Sequence, residues 1–246
     1  ALQRHYFAQN TGDLYCYGFS LWKRGYVRRY LQSPWNKIHF VRYSWEFKHQ
    51  LSKPGAHIVV WGIRENKSII RFAKKYKAPI WRMEDGFLRS VGLGSDLTAP
   101  ASLVLDKQGI YFDPNQPSDL EIILNNQIFS DDLIHRAEQI KRTLIDTGIS
   151  KYNVGEAKPL SHSAKPDQRI ILVPGQVEDD ASIRMGCRDI CTNKALLRAT
   201  RESNPDAYII YKPHPDVLSR NRKGDRTTKN SCYFDQIVTD ISITQC

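Results

Sequence analysis

The chain has 246 residues, of which 41% are hydrophobic and 11% aromatic, and its formal net charge is +10. This composition excludes a disordered chain and is typical of a globular protein with one large domain or two smaller ones. No apolar run is long enough to cross a bilayer and no signal pattern opens the chain, so we expect a cytoplasmic protein. The five cysteines form no Cys-x-x-Cys pair, which argues against a zinc site or a disulfide framework.

Short apolar strands alternate with helical segments along most of the chain, which predicts an α/β fold with parallel sheets. In chain order we predict a strand at 14–20, a helix through 27–31, strands at 37–43 and 57–62, a helix at 66–76, a strand from 79, a strand at 101–106, a capped helix start at 117–121 and an amphipathic helix at 131–147. Gly148 is expected to end that last helix.

Residues 148–167 lose the apolar periodicity and are rich in Gly, Pro, Ser, Lys and His, which indicates a linker. We therefore predict a Rossmann-like N-terminal domain at 1–150, a linker at 151–168 and a second Rossmann-like domain at 169–246. The second domain is predicted to contain a strand from 169, a helix at 189–202, a strand at 207–211 and a further element at 234–240. Because this is shorter than nucleotide-binding α/β domains usually are, we expect the second domain to be incomplete.

The positive charge favours anionic partners such as nucleic acid, anionic lipid headgroups or acidic sugars. Two basic clusters stand out. One is Lys23 and Arg24 with Arg28, Arg29 and Arg42, and the other is the run 220–226. A solvated surface explains each cluster as well as a binding patch does. Aromatic residues between the first set of cations suit a membrane interface, although they also suit a core.

Polar clusters follow three of the predicted strands, at 84–90, 176–184 and 212–216. Open α/β sheets bind ligands at the carboxyl ends of their strands, so these clusters are candidates for a functional site. The second cluster contains three adjacent carboxylates at 178–180. They could instead cap the following helix, and Glu84 in the first cluster could instead pair with Arg82 or Arg89. The glycines at 92 and 94 lack the spacing of a dinucleotide fingerprint and favour a tight turn beside a cleft.

Five ordered motifs resemble those of the retaining β-Kdo transferases of capsule polysaccharide biosynthesis, the KpsC/LipA type. They are Gly-Phe-Ser-Leu-Trp-Lys-Arg at 18–24, Glu-Asp-Gly-Phe-Leu-Arg-Ser-Val-Gly-Leu-Gly at 84–94, Gln-Val-Glu-Asp-Asp-Ala-Ser-Ile at 176–183, Tyr-Lys-Pro-His-Pro-Asp at 211–216 and Asp-Gln-Ile-Val-Thr-Asp at 235–240. The resemblance spans nearly the whole chain and implies a GT-B fold, in which two α/β domains face each other across a cleft. The first domain would then hold the acceptor and the second the donor, CMP-Kdo. The opening motif is more similar to the second of two transferase modules, and the family pattern continues past the point that matches residue 246.

An enzyme of this kind moves Kdo, an acidic sugar, from CMP-Kdo to a Kdo-bearing glycolipid. Retention by double displacement requires a carboxylate nucleophile and a base for the acceptor hydroxyl. The resemblance implies Asp180 as the nucleophile, with Asp179 as its rival, and Glu84 as the base. His214 is expected to donate to the departing phosphate. The remaining predicted substrate-binding residues are Lys212, Arg184, Gln176, Ser182, Asp179 and Arg89.

No cofactor or metal is expected beyond the donor, because nearby cations can offset the single phosphate of CMP. The expected partners are CMP-Kdo, a phospholipid-linked Kdo oligosaccharide and the surface of the inner membrane, without nucleic acid. A non-catalytic basic module that binds acidic glycolipid or polysaccharide is the main alternative. A metal-dependent phosphoesterase and a nucleic-acid-binding protein are two further alternatives, the latter motivated by charge alone.

Overall fold

The computed structural model describes residues 10–47, 55–63, 67–219 and 232–246. The chain divides into two compact units, one made of Ala1–Arg89 with Ala99–Ile128 and the other of Ser90–Thr98 with Phe129–Cys246. The sequence places the division at residue 150, after the long helix, whereas the structure places it before that helix. The long helix groups with the second unit, and Gly148 at its C-terminal end lies against Thr244 of that unit.

The first unit is built on a five-stranded sheet in the order β2-β1-β3-β4-β5, in which β5 alone runs antiparallel to its neighbour. Its elements are β1 (Gly12–Tyr17), α1 (Leu21–Leu31), β2 (Asn36–Val41), β3 (His57–Trp61), α2 (Lys67–Tyr76), β4 (Ile80–Asp85), β5 (Leu103–Asp106) and α3 (Asp119–Asn126). The central strands β1 and β3 are apolar on both faces, with residues of α1 in the core on one face and residues of α2 in the core on the other. One face buries Cys16 and Val59, and the other buries Ile58 and Val60.

The second unit contains a parallel sheet in the order β6-β7-β8. Its elements are α4 (Asp131–Thr147), β6 (Ile170–Pro174), α5 (Ala181–Gly186), α6 (Asn193–Ser203), β7 (Tyr208–Lys212), α7 (Pro215–Leu218) and β8 (Gln236–Ile237). Helix α6 buries Leu197 against Val173 and Ile209. The prediction of an α/β fold with parallel sheets is therefore confirmed in each unit.

Helix ends follow the local signals in the sequence. The hydroxyl of Ser118 accepts from the backbone N–H of Glu121 at the start of α3, and that of Ser130 does the same at α4. Gly148 ends α4 with φ of 62°, as predicted. The helix predicted to pass through residues 27–31 is α1, which begins at Leu21 directly after the predicted strand and turn. One predicted boundary is wrong: α6 begins at Asn193, after a Thr192 cap, rather than around 189. The segment 234–240 forms only the two-residue strand β8.

The predicted linker at 151–168 has no helix or regular strand, yet it is tied to the second unit. Glu156 forms an isolated parallel bridge with Ile241, and the ammonium of Lys158 donates to the carboxylate of Asp240 at 2.6 Å. Gly155 has φ of +94°, and a Cβ there would lie 2.7 Å from a backbone nitrogen, so this close approach requires glycine. The segment is packed structure rather than a simple spacer.

Residues 90–98 leave the first sheet and pack with the second unit. The N–H of Ser90 donates to the carbonyl of Lys151 at 3.2 Å, and the N–H of Gly92 donates to that of Tyr152 at 2.8 Å. The side-chain amide of Asn153 donates back to the carbonyl of Ser90 at 3.0 Å. Gly92 has φ of +109°, in agreement with the predicted tight turn.

No helix in the described part of the chain is both long and apolar enough to span a membrane. Two features of the sequence lie outside the described residues: the basic run 220–226 and position 66, where the helix α2 was predicted to begin.

Candidate functional site

A cavity of about 490 Å³ opens at the carboxyl ends of the strands of the second sheet. Its walls come from the turn after β6, the turn between β7 and α7, and the segments 150–155 and 239–243. All of these belong to the second unit. The carboxyl ends of parallel strands are where open α/β folds bind ligands, so this cavity is the candidate site.

The charged side chains of the cavity are basic. Lys151, Lys212 and His214 line it, and none of its described lining residues is an aspartate or a glutamate. The remaining wall combines hydroxyl groups with apolar surface from Val154 and Ile241, among others. A cavity of this kind suits an anionic ligand that also carries an apolar or aromatic part.

His214 is held in a defined orientation at the edge of the cavity. It precedes α7, and its Nδ1 accepts the backbone N–H of Asp216 at 3.2 Å. Since an accepting Nδ1 carries no proton, the proton of the neutral ring is on Nε2. The ring also meets Tyr152 edge-on, with centroids 6.1 Å apart. The structure therefore presents the imidazole as a donor through Nε2.

Lys212 ends β7 and lies half-buried in the cavity wall. Its ammonium donates to the backbone carbonyl of Ile241, which fixes the side chain across the mouth of the sheet. Burial raises the pKa of the Cys246 thiol, and the nearby Lys212 charge opposes that rise. An ammonium has three donors, so this one can hold a carbonyl and still donate to an anion.

Gly175 allows two turns to meet at the floor of the cavity. Its N–H donates to the carbonyl of Lys212 at 2.7 Å. A Cβ at this position would lie 2.8 Å from the Tyr211 hydroxyl and 3.1 Å from backbone atoms of Pro213 and His214. A larger residue would therefore require a shift of the Tyr211 ring, of the turn that carries His214, or of both.

The acidic run uses two of its three carboxylates as helix caps. Oδ1 of Asp180 accepts the N–H and the hydroxyl of Ser182, at 3.0 and 2.8 Å, at the start of α5. Oε1 of Glu178 accepts the N–H of Asn193, at 2.8 Å, at the start of α6. Asp179, between them, is exposed. Glu178 and Asp180 therefore make the helix-capping contacts that the sequence analysis gave as the alternative to a catalytic role.

Asn193 is a site residue that the sequence did not single out. Its side chain is only 4% exposed, and it binds both backbone groups of Gln176, accepting from the N–H at 2.8 Å and donating to the carbonyl at 2.9 Å. These bonds attach the acidic turn to α6. The only local signal is a Thr-Asn pair at a helix start, which is not specific for this role.

Of the nine predicted site residues, seven lie in the second unit and two, Glu84 and Arg89, lie in the first. Three of the seven line the cavity, namely Gln176, Lys212 and His214. Asp179, Asp180, Ser182 and Arg184 occupy the turn after Gln176 and helix α5, outside the described cavity lining. Ser182 and Arg184 are exposed on that helix.

In the first unit, Glu84 ends β4 and its Oε1 accepts the N–H of Asp85 at 2.9 Å. The neighbouring carboxylate, that of Asp85, forms an ion pair with Arg89, its Oδ2 lying 2.8 Å from Nε. The Arg89 side chain is 1% exposed. The guanidinium of Arg89 is therefore held in an internal ion pair, and its contact with substrate stays a prediction.

A family model described as "Capsule polysaccharide biosynthesis protein" matches residues 56–237. The capsule polysaccharide modification protein LipA of Neisseria meningitidis serogroup B is 46% identical over 236 residues, covering 96% of this chain and 33% of LipA. The lipopolysaccharide-processing protein LpsZ of Rhizobium meliloti is 43% identical over 227 residues, covering 88% of this chain and 51% of LpsZ. The chain thus spans about a third to a half of these relatives.

Two solved structures share the fold. The KpsC beta Kdo 2,4 transferase of Thermosulfurimonas dismutans superposes with a TM-score of 0.75 at 30% identity, over 92% of this chain and 69% of that one. The KpsC beta Kdo 2,7 transferase of the same organism superposes with a TM-score of 0.66 at 34% identity, over 92% and 67%.

Proposed function

The chain belongs to the family of capsule polysaccharide biosynthesis proteins, and from this premise we propose that it transfers Kdo from CMP-Kdo to a Kdo-bearing glycolipid with retention of the β configuration. The motif-based resemblance to this family is confirmed. The Kdo transferases among its structural relatives support the reaction class. The acceptor we propose is a phospholipid-linked Kdo oligosaccharide at the inner-membrane surface.

The basic cavity of the second unit is the observation that carries the proposal. CMP-Kdo has two anionic groups, the phosphate and the sugar carboxylate, and the cavity provides Lys151, Lys212 and His214. Charge-assisted hydrogen bonds from such groups are stronger than neutral ones. The apolar wall and the ring of Tyr152 suit a nucleobase and a ribose.

We assign His214 to the leaving phosphate. Its Nδ1 already accepts a backbone N–H, so Nε2 is the atom that donates to a phosphate oxygen. This donation offsets charge that develops on the phosphate as its bond to the sugar breaks. Prolines at 213 and 215 and the close approach of Gly175 keep the ring in place.

The chemical sequence we propose has two displacements. In the first, an Asp180 oxygen bonds to the anomeric carbon of Kdo while the bond to the CMP phosphate breaks, and CMP leaves. In the second, the acceptor hydroxyl oxygen bonds to the same carbon while the aspartyl ester breaks. The hydroxyl proton goes to a carboxylate, for which we propose Glu84 of the first unit.

Asp180 remains our nucleophile, with Asp179 as the rival. The two bonds from Ser182 hold the Asp180 carboxylate in one orientation at the start of α5. The same bonds also withdraw electron density from Oδ1, so the attacking atom would be Oδ2. Arg184, on the same helix, is proposed to bind the sugar carboxylate once the donor is present.

Titration calorimetry with CMP tests the cavity assignment. Lys212→Met should weaken CMP binding by at least about tenfold, because a charge-assisted contact is lost. Lys165→Met is the matched control, since Lys165 is exposed in the same unit and outside the described cavity lining. Equal affinities for the two variants, or no binding of CMP by the unaltered chain, would contradict the assignment.

A non-catalytic module that binds acidic glycolipid is the second candidate, and the capping roles of Glu178 and Asp180 favour it. Such a module has no need to recognise cytidine. A comparison of CMP with inorganic phosphate separates the two candidates. A transferase should bind CMP more tightly than phosphate, whereas a module that recognises only negative charge should bind the two with similar affinity.

A further inference from the structure

An exposed pair of aromatic rings follows β2 in the first unit. Tyr43 is 49% exposed and Trp45 is 68% exposed. Their ring centroids are 6.1 Å apart and their planes differ by 10°, so the two rings are nearly parallel. Single exposed hydrophobic residues are common, but a parallel aromatic pair at a strand end is a more specific feature.

The turn that carries the rings is fixed by its own contacts. Oε1 of Glu46 accepts the N–H of Arg42 at 3.0 Å and the N–H of Tyr43 at 2.7 Å. Phe47, one residue further, is fully buried and packs edge-on against Tyr15 at 6.0 Å. The exposed rings therefore stand on an anchored turn, and little conformational entropy is lost when they bind a ligand.

Among the described residues 10–47, Arg42 is the cation recorded beside the exposed rings. The guanidinium of Arg42 lies 5.4 Å from the Tyr43 ring centroid. Other members of the same basic cluster cover aromatic rings elsewhere: Lys23 lies over Trp61, and both Arg24 and Arg28 lie over Phe40. The surface thus combines two flat apolar faces with one planar guanidinium.

We propose that Arg42, Tyr43 and Trp45 bind an acidic sugar of the acceptor glycan, an inference that rests on the proposed transferase function. The C–H faces of a sugar ring pack on aromatic rings, and a guanidinium pairs with a sugar carboxylate in a bidentate manner. The turn follows the carboxyl end of β2, beside the neighbouring end of β1. That edge of the sheet is where an α/β unit binds its ligand.

An anionic membrane surface is the competing partner, and the geometry favours it less. Binding to such a surface needs several basic side chains, each contributing modestly, together with apolar groups that insert independently. In the described part of this surface, Arg42 lies beside the rings, and the two ring planes are nearly parallel. A single carboxylate on a sugar matches that arrangement.

Saturation-transfer NMR with free Kdo, in the presence of saturating CMP to occupy the second-unit cavity, tests the proposal. Trp45→Ala should weaken Kdo binding about fivefold or more, and Arg42→Ala should do the same. Trp35→Ala is the control, because Trp35 is also exposed, at 44%, but precedes the opposite end of β2. Glucose, which lacks the carboxylate, should bind more weakly than Kdo, and Arg42→Ala should not change its affinity.

The outcomes separate this inference from the proposed function. If CMP binds but Trp45→Ala and Trp35→Ala retain equal affinity for Kdo, the sugar surface is refuted while the transferase proposal stands. If CMP does not bind but Trp45→Ala still loses Kdo, the surface stands without the donor site. A third outcome would overturn the proposal: Trp45→Ala keeps its affinity for Kdo but no longer binds vesicles of equal parts phosphatidylglycerol and phosphatidylcholine. The surface would then be assigned to the membrane.

Discussion

Replacement of Asn193 by alanine removes the side chain that attaches the acidic turn to α6. Two hydrogen bonds to the backbone of Gln176 are lost, and Asn193 is almost fully buried. Each such bond contributes about 1 kcal/mol net, and backbone groups left without a partner add to the cost, so we expect a loss of about 2–3 kcal/mol. For a chain of this size that corresponds to a fall in Tm of roughly 4–12 °C.

Differential scanning calorimetry is the appropriate assay, because two compact units can melt in separate transitions and the affected one can be identified. Asn126→Ala is the matched control. Asn126 is exposed and makes one bond, to the carbonyl of Ile122 in its own helix. We expect that control to change stability by no more than about 0.5 kcal/mol.

A second readout connects this stability effect to the site. Gln176 lines the cavity, so Asn193→Ala should also weaken CMP binding at a temperature where the variant is fully folded. If Asn193→Ala melts with the control and binds CMP normally, the acidic turn is held by other contacts and the reasoning is refuted.

Two further predictions concern backbone fit and burial. Gly175→Ala should weaken CMP binding while the chain stays folded by circular dichroism. The new Cβ would lie 2.8 Å from the Tyr211 hydroxyl and 3.1 Å from the turn that carries His214, so the cavity wall must shift. Normal binding would show that the wall adapts without loss of function. Burial raises the pKa of the Cys16 thiol from 9.0 to about 12, and the charge of Arg28 opposes that rise. At pH 8 iodoacetamide should therefore alkylate the exposed Cys191 and leave Cys16 intact, which peptide mass mapping would show. In the unfolded chain the Cys16 thiol ionises near pH 9, before the buried thiol of the folded chain does. Its contribution to stability is therefore present below pH 9 and is lost as the pH rises toward 12. Over that range the unaltered chain should lose stability faster than Cys16→Ala, and parallel curves of stability against pH would refute the assignment.

Local periodicity and capping signals made much of the fold predictable. The strands of both sheets appear near their predicted positions, and the capped start at Ser118 and the helix end at Gly148 follow from residue type alone. These features depend on neighbours within one turn or one strand. Other features depend on contacts between distant segments, such as the hydrogen bonds that attach residues 90–98 to the second unit, and no local pattern predicts them.

The site was predictable in part for the same reason. Lys212, His214 and Gln176 follow strand ends, and parallel strands bring their ends together, so the sequence placed all three at one cavity. The role of Glu178 depends on a contact with Asn193, fifteen residues further on, which no local pattern reveals. Arg89 belongs to a predicted motif, yet its side chain is buried with Asp85.

Intact mass spectrometry of the chain incubated with CMP-Kdo and no acceptor tests the central proposal most directly. The account predicts a covalent adduct of one Kdo residue on the unaltered protein and on Glu84→Gln, and its absence from Asp180→Asn. An adduct that persists in Asp180→Asn and disappears in Asp179→Asn would move the nucleophile by one residue. No adduct in any variant, with CMP released in the presence of acceptor, would contradict the aspartyl intermediate altogether.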